Sequence, residues 1–477
     1  MMTERESLLK EQAYTEIKKY EKRVQQDPYR LSYHLMPPVG LLNDPNGLIQ
    51  FNGVYHVFYQ WNPFATTHGA KFWGHYSSVD MVRWKEEPIA LAPSEWYEKN
   101  GCYSGSAVES DGKLYLFYTG NVKLDDSTRE TNQCLAVSTD GVSFEKKGPV
   151  LKLPAGYTAH FRDPKIWNKN DRWYMIIGAQ TLEGKGAAVL FVSNDLYHWE
   201  ELGPIAGSGM NGLGDFGYMW ECPDLIQLQG KEVLLVSPQG LEPKGHLYNN
   251  LFQSGYFVGD LDYKTAQFQY GDFVELDRGF DFYAPQTFTD ESGRVILYAW
   301  MGITDESEPY QPTVANNWVH ALTIPRELEL RDGQIFQNPA EELKKLRQDE
   351  VRFDYGEHES LDEVCAAEVE LDFAEAVAGS FEMNFRGEAV LSYDSSKQEM
   401  SLLRRNIKTG WSEKRVCRLD SLMKLQIFID YSSLEIFVNG GQEVFTARYF
   451  PQSENHTITI NGTTSFRLKK WNLGGVI

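Results

Sequence analysis

The sequence predicts an all-β fold, in which a five-bladed β-propeller is followed by a C-terminal β-sandwich and preceded by a short N-terminal helix. From about residue 31 the chain alternates short aromatic and β-branched runs with Gly, Asp and Asn, a pattern typical of strands and turns. One strand-forming segment occurs five times at nearly constant spacing. Beyond about residue 350 strand-like sequence continues without that repeat, which indicates a second β-domain.

The first segment, residues 1–30, is predicted to form a helical arm. Residues 3 to about 26 are rich in charge, and their apolar positions follow a helical period. These apolar positions are Leu8, Leu9, Tyr14, Ile17 and Tyr20. Pro28 ends the helix, which we expect to pack on the outside of the main body.

The repeat assigns residues 31–337 to the propeller. Its segments begin at residues 53, 112, 171, 230 and 293, so successive starts are 59, 59, 59 and 63 residues apart. Each segment opens with a Gly or Asp turn and continues as a strongly strand-forming run. This regularity in an all-β sequence predicts five blades of several short strands each. The alternative is a large sandwich with coincidental spacing.

A second signature marks the first three units of the repeat. A Ser-x-Asp sequence is followed, four residues after the Asp, by an aromatic residue, which is typical of a hairpin turn with a packing aromatic on the returning strand. The three copies are Ser78 and Asp80 with Trp84, Ser138 and Asp140 with Phe144, and Ser193 and Asp195 with Trp199.

The last part of the chain shows no catalytic signature. Residues 338–350 are predicted to form a short capped helix that serves as a linker, and residues 351–477 are predicted to form the β-sandwich. Its strand-like runs are 368–373, 380–385, 425–430, 434–438 and 457–461. Asn439 and Gly440 predict a hairpin turn. We expect this domain to act as a structural lid or an oligomerisation module, and both monomer and homodimer remain open.

The charge of the chain constrains its partners. Its 477 residues include 46 Lys and Arg against 67 Asp and Glu, a formal net charge of −21. Such a surface repels polyanions, so no nucleic acid is expected as a partner and a neutral polar ligand fits best. An anionic ligand would need a local cationic pocket.

The cysteines and the N-terminus predict a cellular location. The five cysteines are far apart and form no Cys-x-x-Cys, so the sequence predicts buried, reduced thiols rather than a zinc site or a disulfide framework. No apolar signal region and no apolar run long enough to span a bilayer are visible. We therefore expect a cytoplasmic protein with no membrane partner, no cofactor and no metal.

Three acidic residues occupy equivalent positions in three of the predicted blades. Asp44 lies nine residues before the first repeat start, Asp163 eight before the third and Glu221 nine before the fourth. The first strand of a propeller blade lines the central channel, so equivalent positions converge on one pocket. Any one of these acids alone would be an ordinary turn residue, but three aligned acids beside prolines predict a shared catalytic pocket.

Carboxylates without a Cys/His pair or a metal motif are typical of glycoside hydrolases. Glu221 suits the general acid, because its apolar neighbours and the other two carboxylates should raise its pKa. Asp44, on a polar turn with amide donors nearby, suits an ionised nucleophile. Asp163, next to Arg162, suits a permanently ionised group that stabilises an oxocarbenium-like charge. If the enzyme retains configuration, the carboxyl groups of Asp44 and Glu221 should lie about 5–5.5 Å apart.

Aromatic and amide side chains near these positions could complete a sugar pocket. Candidate flat apolar faces are Trp61, Phe72, Trp73, Tyr103, Trp220, Tyr283, Trp300 and Trp318. Candidate amides for sugar hydroxyls are Asn43, Gln60 and Gln286. Aromatic residues are more often part of a core than of a binding platform, so each one alone carries little weight.

Six short motifs together resemble one enzyme family. They are Asn-Asp-Pro-Asn-Gly at 43–47, Tyr-Gln at 59–60, Trp-Gly-His at 73–75, Tyr-Ser-Gly-Ser-Ala at 103–107, Arg-Asp-Pro at 162–164 and Glu-Cys-Pro at 221–223. As an ordered set they resemble the β-fructofuranosidases of glycoside hydrolase family thirty-two, from about residue 30 to the C-terminus. The resemblance implies a five-bladed propeller followed by a sandwich. It also implies cleavage of terminal β-fructofuranosides with retention, through a fructosyl-enzyme intermediate.

The resemblance also implies residue roles and a substrate. Asp44 resembles the nucleophile of the family, Glu221 its acid/base and Asp163 its transition-state stabiliser. The implied substrate-binding residues are Leu42, Asn43, Pro45, Gln60, Trp73, Tyr103, Ser104 and Arg162. Within the family the chain most resembles bacterial sucrose-6-phosphate hydrolases, so the expected reaction is hydrolysis of the β-D-fructofuranosyl bond of sucrose 6-phosphate, of sucrose, or of both.

The chain departs from the common family pattern in two places. Leu42 stands where many relatives have Met or another large residue. Thr-His-Gly-Ala-Lys at 67–71 replaces a segment that often carries a Trp beside the substrate. His68 and Lys71 could supply the positive charge that an anionic substrate needs, or they could be solvated loop residues. Trp318 is a further candidate contact.

Three other functions compete with this prediction. The three acids could bind a metal ion in a metal-assisted hydrolase. The propeller could bind sugar without catalysis. The same site could also serve a fructan exo-hydrolase acting on inulin or levan, or a fructosyltransferase.

Overall fold

The computed structural model describes residues 3–124, 128–452 and 454–475, so the terminal residues of the predicted arm and sandwich lie outside it. The predicted helix is present as α1 (Glu4–Gln25). Thr3 caps it by accepting a hydrogen bond from the Glu6 N–H. Basic residues occupy its last turn, where their positive charge interacts favourably with the helix dipole. Ala13 and Val24 are buried in one apolar cluster with propeller residues such as Trp84 and Ile89.

The blades are antiparallel sheets. The first contains β1 (Gly40–Phe51), β2 (Val54–Asn62), β3 (Phe72–Ser78) and β4 (Lys85–Glu86). The second contains β5 (Cys102–Ser110), β6 (Lys113–Lys123), β7 (Arg129–Ser138) and β8 (Glu145–Lys152). The third contains β9 (Tyr157–Lys169), β10 (Arg172–Thr181), β11 (Gly186–Ser193) and β12 (Glu200–Gly207).

The remaining blades are less regular. The fourth contains β13 (Met219–Leu228), β14 (Lys231–Gln239), β15 (Gly255–Asp262), β16 (Gln267–Tyr270) and β17 (Val274–Glu275). The fifth contains β18 (Tyr283–Thr289) and β19 (Val295–Met301) and, after β20 (Trp318–Val319), also β21 (Ala321–Leu322), β22 (Arg326–Arg331) and β23 (Gln334–Pro339). Because β20 pairs in parallel with β1, the end of the propeller is hydrogen-bonded to its beginning. The predicted five-bladed propeller is confirmed.

The sequence repeat corresponds to one position in each blade. Its five segments become the second strands, β2, β6, β10, β14 and β19, and the preceding strand of each blade is the inner one. These second strands are buried on both faces because neighbouring blades pack against them, which explains their continuous apolar runs. The repeat therefore marks the packing core of the ring.

The Ser-x-Asp signature forms the predicted turn after the third strand. Asp80 Oδ1 accepts the backbone N–H groups of Val82 and Arg83, at 3.1 and 2.9 Å. Asp140 and Asp195 accept the equivalent N–H groups in the next two blades. The side chains thus replace backbone partners in a tight turn.

The region predicted as a linker helix contains a short helix and the start of a strand. A 3₁₀ helix spans Glu341–Leu346, and a strand already begins at Arg347. Six residues are too few to nucleate a stable α-helix, so the tighter 3₁₀ form is the one observed.

The C-terminal β-sandwich is confirmed. Its strands are β24 (Arg347–Leu361), β25 (Ala367–Phe373), β26 (Ser380–Phe385), β27 (Ala389–Asp394), β28 (Glu399–Arg405), β29 (Ser412–Arg418), β30 (Lys424–Asp430), β31 (Ser433–Val438), β32 (Glu443–Arg448) and β33 (Ile458–Leu473). One half of β33 pairs with β26 and the other half with β25, while β24 runs along its length. The long strand β33 therefore joins both layers around one apolar core.

The sandwich is attached to the propeller through buried charges. Arg326 of β22 is fully buried and forms ion pairs with Asp277 of the propeller, at 3.1 Å, and with Glu435 of the sandwich, at 2.5 Å. His34 contacts both Asp430 and Glu435 of the sandwich. In the described part of the chain no helix is long and apolar enough to cross a membrane.

Candidate active site

The inner strands of all five blades carry an irregularity at the same level. Register shifts occur between Leu42 and Pro45 in β1 and between Tyr103 and Gly105 in β5. The other three follow Arg162 in β9, Glu221 in β13 and Tyr283 in β18. In four blades a Pro lies in or beside this bulge, where the ladder does not need its missing N–H. A bulge redirects side chains, and here it directs them into the channel.

The bulges surround a cavity of about 360 Å³ at one end of the channel. Predicted residues that line it are Asn43, Asp44, Gln60, His68, Lys71, Tyr103, Arg162, Asp163 and Glu221. The structure therefore brings the three acids, from three different blades, into one cavity.

Asp44 is held by donors from two blades. Its Oδ2 accepts hydrogen bonds from Ser104 Oγ at 2.5 Å and Gln60 Nε2 at 3.3 Å, and its Oδ1 accepts one from Asn43 at 3.1 Å. Burial raises the pKa of Asp44, and the donors from Ser104 and Asn43 oppose that rise without cancelling it. The carboxylate is thus oriented by three donors.

Asp163 lies deeper in the cavity and adopts a left-handed backbone with φ of 68°. Its Oδ2 accepts the Cys222 N–H at 3.0 Å, and the Cys222 sulfur lies 3.6 Å from the same oxygen. Burial raises the pKa of Asp163 to about 7, because the repulsion of Glu221 and Asp44 adds to it and the attraction of Arg162 only partly offsets it. The sequence predicts an ionised Asp163, whereas in the structure burial and the neighbouring carboxylates favour its protonated form.

Glu221 is surrounded by donors. Arg162 donates to its Oε1 from Nε at 2.8 Å and from Nη2 at 2.6 Å. Gln239 and Tyr283 each donate to its Oε2 at 2.7 Å. Burial on its own would raise the pKa of Glu221, but Arg162 and the hydrogen bonds outweigh it and lower the pKa below its ordinary value. The sequence predicts a raised pKa for Glu221, and the structure lowers it because Arg162 points at this carboxylate, an orientation that the sequence does not reveal.

Lys71 and His68 line the wall beside Asp44. Lys71 is 3% exposed, and its Nζ has no hydrogen-bond partner among the described residues. Burial lowers the pKa of Lys71 to about 7, against the attraction of Asp44 and Glu308. His68 lies 3.2 Å from Glu308 through Nε2. Lys71 is therefore not a solvated loop residue, whereas His68 is exposed and is held by its contact with Glu308.

The other predicted residues lie behind the cavity wall. Leu42 and Trp318 are fully buried in the apolar core, and Trp318 donates its indole N–H to Asp27 at 2.7 Å. Trp73 is buried and donates to the Tyr103 carbonyl at 3.1 Å. Ser104 acts through its bond to Asp44, and Pro45 belongs to the bulge. Direct contact of Trp318 or Leu42 with a ligand is therefore wrong, because core packing encloses both side chains.

Only part of the predicted aromatic surface reaches the cavity. Tyr103, Tyr283 and Trp300 line it, whereas the remaining candidates are core residues. Those core residues are Trp61, Phe72, Trp73, Trp220 and Trp318. Gln286 is also buried, and its amide, when oriented to satisfy its surroundings, donates to carbonyls of the first and second blades.

Several residues that line the cavity or contact its acids and Arg162 were missed by the sequence analysis. Gln239 and His160 contact Glu221 and Arg162 respectively, and Lys123 and Arg129 lie on the wall. His160 had a usable signal, since it precedes Arg162 by two positions on one strand and so shares its face. Gln239 had none, because only the pairing of β13 with β14 brings it to Glu221.

The cavity offers acids and donors rather than a metal site. In the described ranges no group of three or more His, Cys, Asp or Glu side chains is arranged to hold a metal ion. The described cysteines are free thiols; Cys365 is partly exposed and the others are buried.

Comparison with known proteins gives consistent matches over nearly the whole chain. Residues 34–339 match the Glycosyl hydrolases family 32 N-terminal domain, and residues 339–472 match the C-terminal domain of the same family. A sucrose-6-phosphate hydrolase of Bacillus subtilis (strain 168) is 53% identical over 97% of each chain.

Solved structures share the fold. A sucrose-6-phosphate hydrolase from Lactobacillus gasseri superimposes with a TM-score of 0.90 at 31% identity, covering 97% of each chain. A mutant Bombyx mori GH32 β-fructofuranosidase in complex with sucrose has a TM-score of 0.87 at 34% identity and covers 98% of each chain. With both family domains matched along its length, this chain belongs to glycosyl hydrolase family 32.

Proposed function

We propose that this protein hydrolyses the β-D-fructofuranosyl bond of sucrose 6-phosphate, and of sucrose, with retention of configuration. The observation that carries the proposal is the convergence of Asp44, Asp163 and Glu221 from three blades on one cavity. The relatives named above support the substrate, since two are sucrose-6-phosphate hydrolases and one was solved with sucrose.

The first step transfers the fructosyl group to the enzyme. The Asp44 carboxylate attacks the anomeric carbon, the bond from that carbon to the glycosidic oxygen breaks, and Glu221 gives its proton to the departing oxygen. Ser104, Gln60 and Asn43 orient the attacking carboxylate. Asp163 binds sugar hydroxyls and stabilises the positive charge that develops on the ring.

The second step releases fructose. Water attacks the anomeric carbon, Glu221 takes a proton from it, and the ester bond to Asp44 breaks, so both carboxyl groups return to their starting state. Retention requires the Asp44 and Glu221 carboxyl groups to be about 5–5.5 Å apart, which stays a prediction.

The proton must move before the first step. Arg162 lowers the pKa of Glu221, while burial and the neighbouring carboxylates raise the pKa of Asp163, so Asp163 binds a proton more readily than Glu221 does. Asp163 and Glu221 titrate together, so a bound sugar that engages Arg162 and Asp163 would shift the shared proton toward Glu221. We infer that substrate binding gives Glu221 the proton that it donates in the first step.

Substitution of Glu221 tests the roles. Glu221→Gln should lower kcat on sucrose by at least about a hundredfold, the usual scale for a positioned acid. The loss should be smaller on an aryl fructoside whose leaving group needs no proton. Glu109→Gln is the matched control, because Glu109 lies on the second blade at the far end of the channel. Equal rates for Glu221→Gln and the parent would show that the assigned role is wrong.

Two rival functions are separated by simple measurements. Full activity after exhaustive chelation would exclude a metal-assisted hydrolase. Product analysis with sucrose, sucrose 6-phosphate and inulin would separate hydrolysis of the disaccharides from fructan cleavage and from fructosyl transfer. Predominant inulin cleavage or oligofructoside formation would contradict the proposed substrate.

We also infer a cytoplasmic location. Free, mostly buried thiols among the described residues support it, since such thiols persist in reducing compartments. A sugar phosphate formed during uptake would meet the enzyme in that compartment. Fractionation of the native host would test the location directly.

A further inference from the structure

A sugar phosphate presents a dianion to a chain whose net charge is −21. Binding it requires cations whose charge is not already neutralised by the protein. The cavity wall includes five basic side chains, those of His68, Lys71, Lys123, Arg129 and Arg162. Arg162 pairs with Glu221 and His68 with Glu308, while Lys71 is 3% exposed and burial lowers its pKa to about 7.

Lys123 and Arg129 form a pair at the mouth of the cavity. Lys123 ends β6 and Arg129 begins β7, and the two residues are direct cross-strand partners in the antiparallel ladder. Direct partners project to the same face with Cβ atoms about 4.5–5.5 Å apart. Both side chains are exposed and both line the cavity.

Two like charges at directly opposed positions destabilise a sheet. Within the described parts of the chain neither Lys123 nor Arg129 forms an ion pair that would offset this repulsion. Residues that lower stability without any structural benefit are expected at functional sites. A bound anion between the two side chains would remove the repulsion.

Contacts through His160 and Arg162 connect Arg129 to the side of the cavity that holds Glu221. Arg129 is close enough to His160 to help lower its pKa, after burial and Arg162. His160 contacts Arg162 at 3.1 Å, and Arg162 contacts Glu221, the proposed proton donor. Lys71, in contrast, lies beside the proposed nucleophile Asp44. A leaving group that receives its proton from Glu221 would therefore extend toward Arg129.

We propose that Lys123 and Arg129 together anchor the phosphate group on the leaving sugar and so determine the preference for the phosphorylated disaccharide. This inference rests on the proposed function. From the sequence, His68 and Lys71, in the loop at residues 67–71, were considered as sources of positive charge for an anionic substrate. The phosphate contact is instead placed on the second blade. The guanidinium of Arg129 offers two parallel donors to phosphate oxygens, and Lys123 adds a point charge.

The test compares kcat/KM for sucrose 6-phosphate and sucrose in Lys123→Gln, Arg129→Gln and the double variant. We expect about a three- to tenfold loss on the phosphate for each single change and a larger loss for the double, with less than about a twofold change on sucrose. Raising the ionic strength should likewise reduce the preference of the parent enzyme for sucrose 6-phosphate over sucrose, because salt screens the attraction between the phosphate and the two cations. Arg129→Lys should keep part of the preference that Arg129→Gln loses, because it retains the positive charge.

Lys113→Gln is the control for net charge. Lys113 begins the same strand, β6, and lies away from the cavity, so removal of its charge should leave both substrates unaffected. A parent that prefers the phosphate and a double variant that keeps this preference would overturn the anchor while leaving the proposed function intact. A parent that hydrolyses neither substrate would overturn the proposed function itself.

Discussion

Arg162 donates two hydrogen bonds to Glu221 while its neighbour in sequence, Asp163, receives none from it. The consequence is a reversal of the pKa order that the residue types suggest. The pKa of Glu221, the proposed proton donor, is lowered, and the pKa of Asp163, the group assigned to charge stabilisation, is raised. The direction of the Arg162 guanidinium thus determines which of the two carboxyl groups has the higher pKa.

Lys71 is the residue at which stability and function conflict most clearly. Its ammonium is buried without a hydrogen-bond partner among the described residues, which costs folding free energy. Lys71→Met keeps the volume and removes the charge, so we expect the variant to be more stable by about 1–3 kcal/mol at neutral pH. Thermal unfolding would measure this change.

The stability gained by Lys71→Met should depend on pH in a definite direction. The pKa of Lys71 falls from 10.5 to about 7 on folding, so between these values the unfolded chain binds more protons and the parent gains stability as pH rises. The advantage of Lys71→Met should therefore be largest below about pH 7 and shrink toward pH 10.5. Loss of the nearby charge should also raise the pKa of Asp44 further and move the acidic limb of kcat/KM upward. A variant less stable than the parent at pH 6 would contradict this account.

At the scale of elements, the bulge of each inner strand is the device that builds the site. Asp163, Cys222 and Ala284 have φ values of 68°, 46° and 50° within these bulges. Such angles are unfavourable for residues other than Gly, so the packing of adjacent blades must maintain them. Close contact between blades is therefore a condition for correct placement of the acids.

Gly178 tests that condition. A Cβ at this position in β10 would lie 2.2 Å from the Trp220 carbonyl oxygen, so Gly178→Ala must separate the third and fourth blades next to Glu221. We expect a stability loss of about 1–3 kcal/mol and at least about a tenfold lower kcat/KM. Unfolding midpoints and steady-state kinetics would show both effects.

Gly271→Ala is the matched control for Gly178→Ala. At Gly271 the nearest atom to an added Cβ is the Val258 carbonyl oxygen at 4.0 Å, and its backbone is not left-handed. The control should change neither stability nor kinetics appreciably. Similar behaviour of the two variants would show that blade contact does not control the site.

At the scale of the whole molecule, the propeller and the sandwich are joined by a buried ionic cluster rather than by apolar surface alone. Arg326 pairs with Asp277 and Glu435, and Glu435 also contacts His34. Breaking a buried pair by removing one partner leaves uncompensated charge in the interior. The cluster therefore couples the stability of the two domains.

Arg326→Leu should reveal this coupling. The change leaves the Asp277 and Glu435 carboxylates facing each other without their cation, and we expect a loss of about 3–5 kcal/mol. Arg83→Leu removes a 78% exposed arginine paired with Asp80 at 3.3 Å and should change stability little. Thermal unfolding and soluble yield would compare the two variants. An Arg326→Leu protein as stable as Arg83→Leu would exclude the cluster as a stabilising junction.

The fold was predictable from patterns among residues that are close in sequence. One pattern is the strand-forming segment that recurs at intervals of 59 or 63 residues, and another is the turn formed by Ser78 and Asp80. Both depend only on neighbouring residues and on the spacing of the repeat. The convergence of Asp44, Asp163 and Glu221 was predictable for the same reason, since equal positions in a ring face one axis. The assignment of residues 1–30, 31–337, 338–350 and 351–477 to separate parts stays a prediction.

The sequence by itself determined the ring, the sandwich and the three acids, because repetition and residue type are properties of the chain alone. Tertiary structure decided which neighbours face one another. It placed Trp318 in the core, turned Arg162 onto Glu221, brought Gln239 to the same carboxylate and set Lys123 beside Arg129. Those outcomes depend on bulges, strand register and burial, which fix side-chain directions and protonation only after distant segments have packed together.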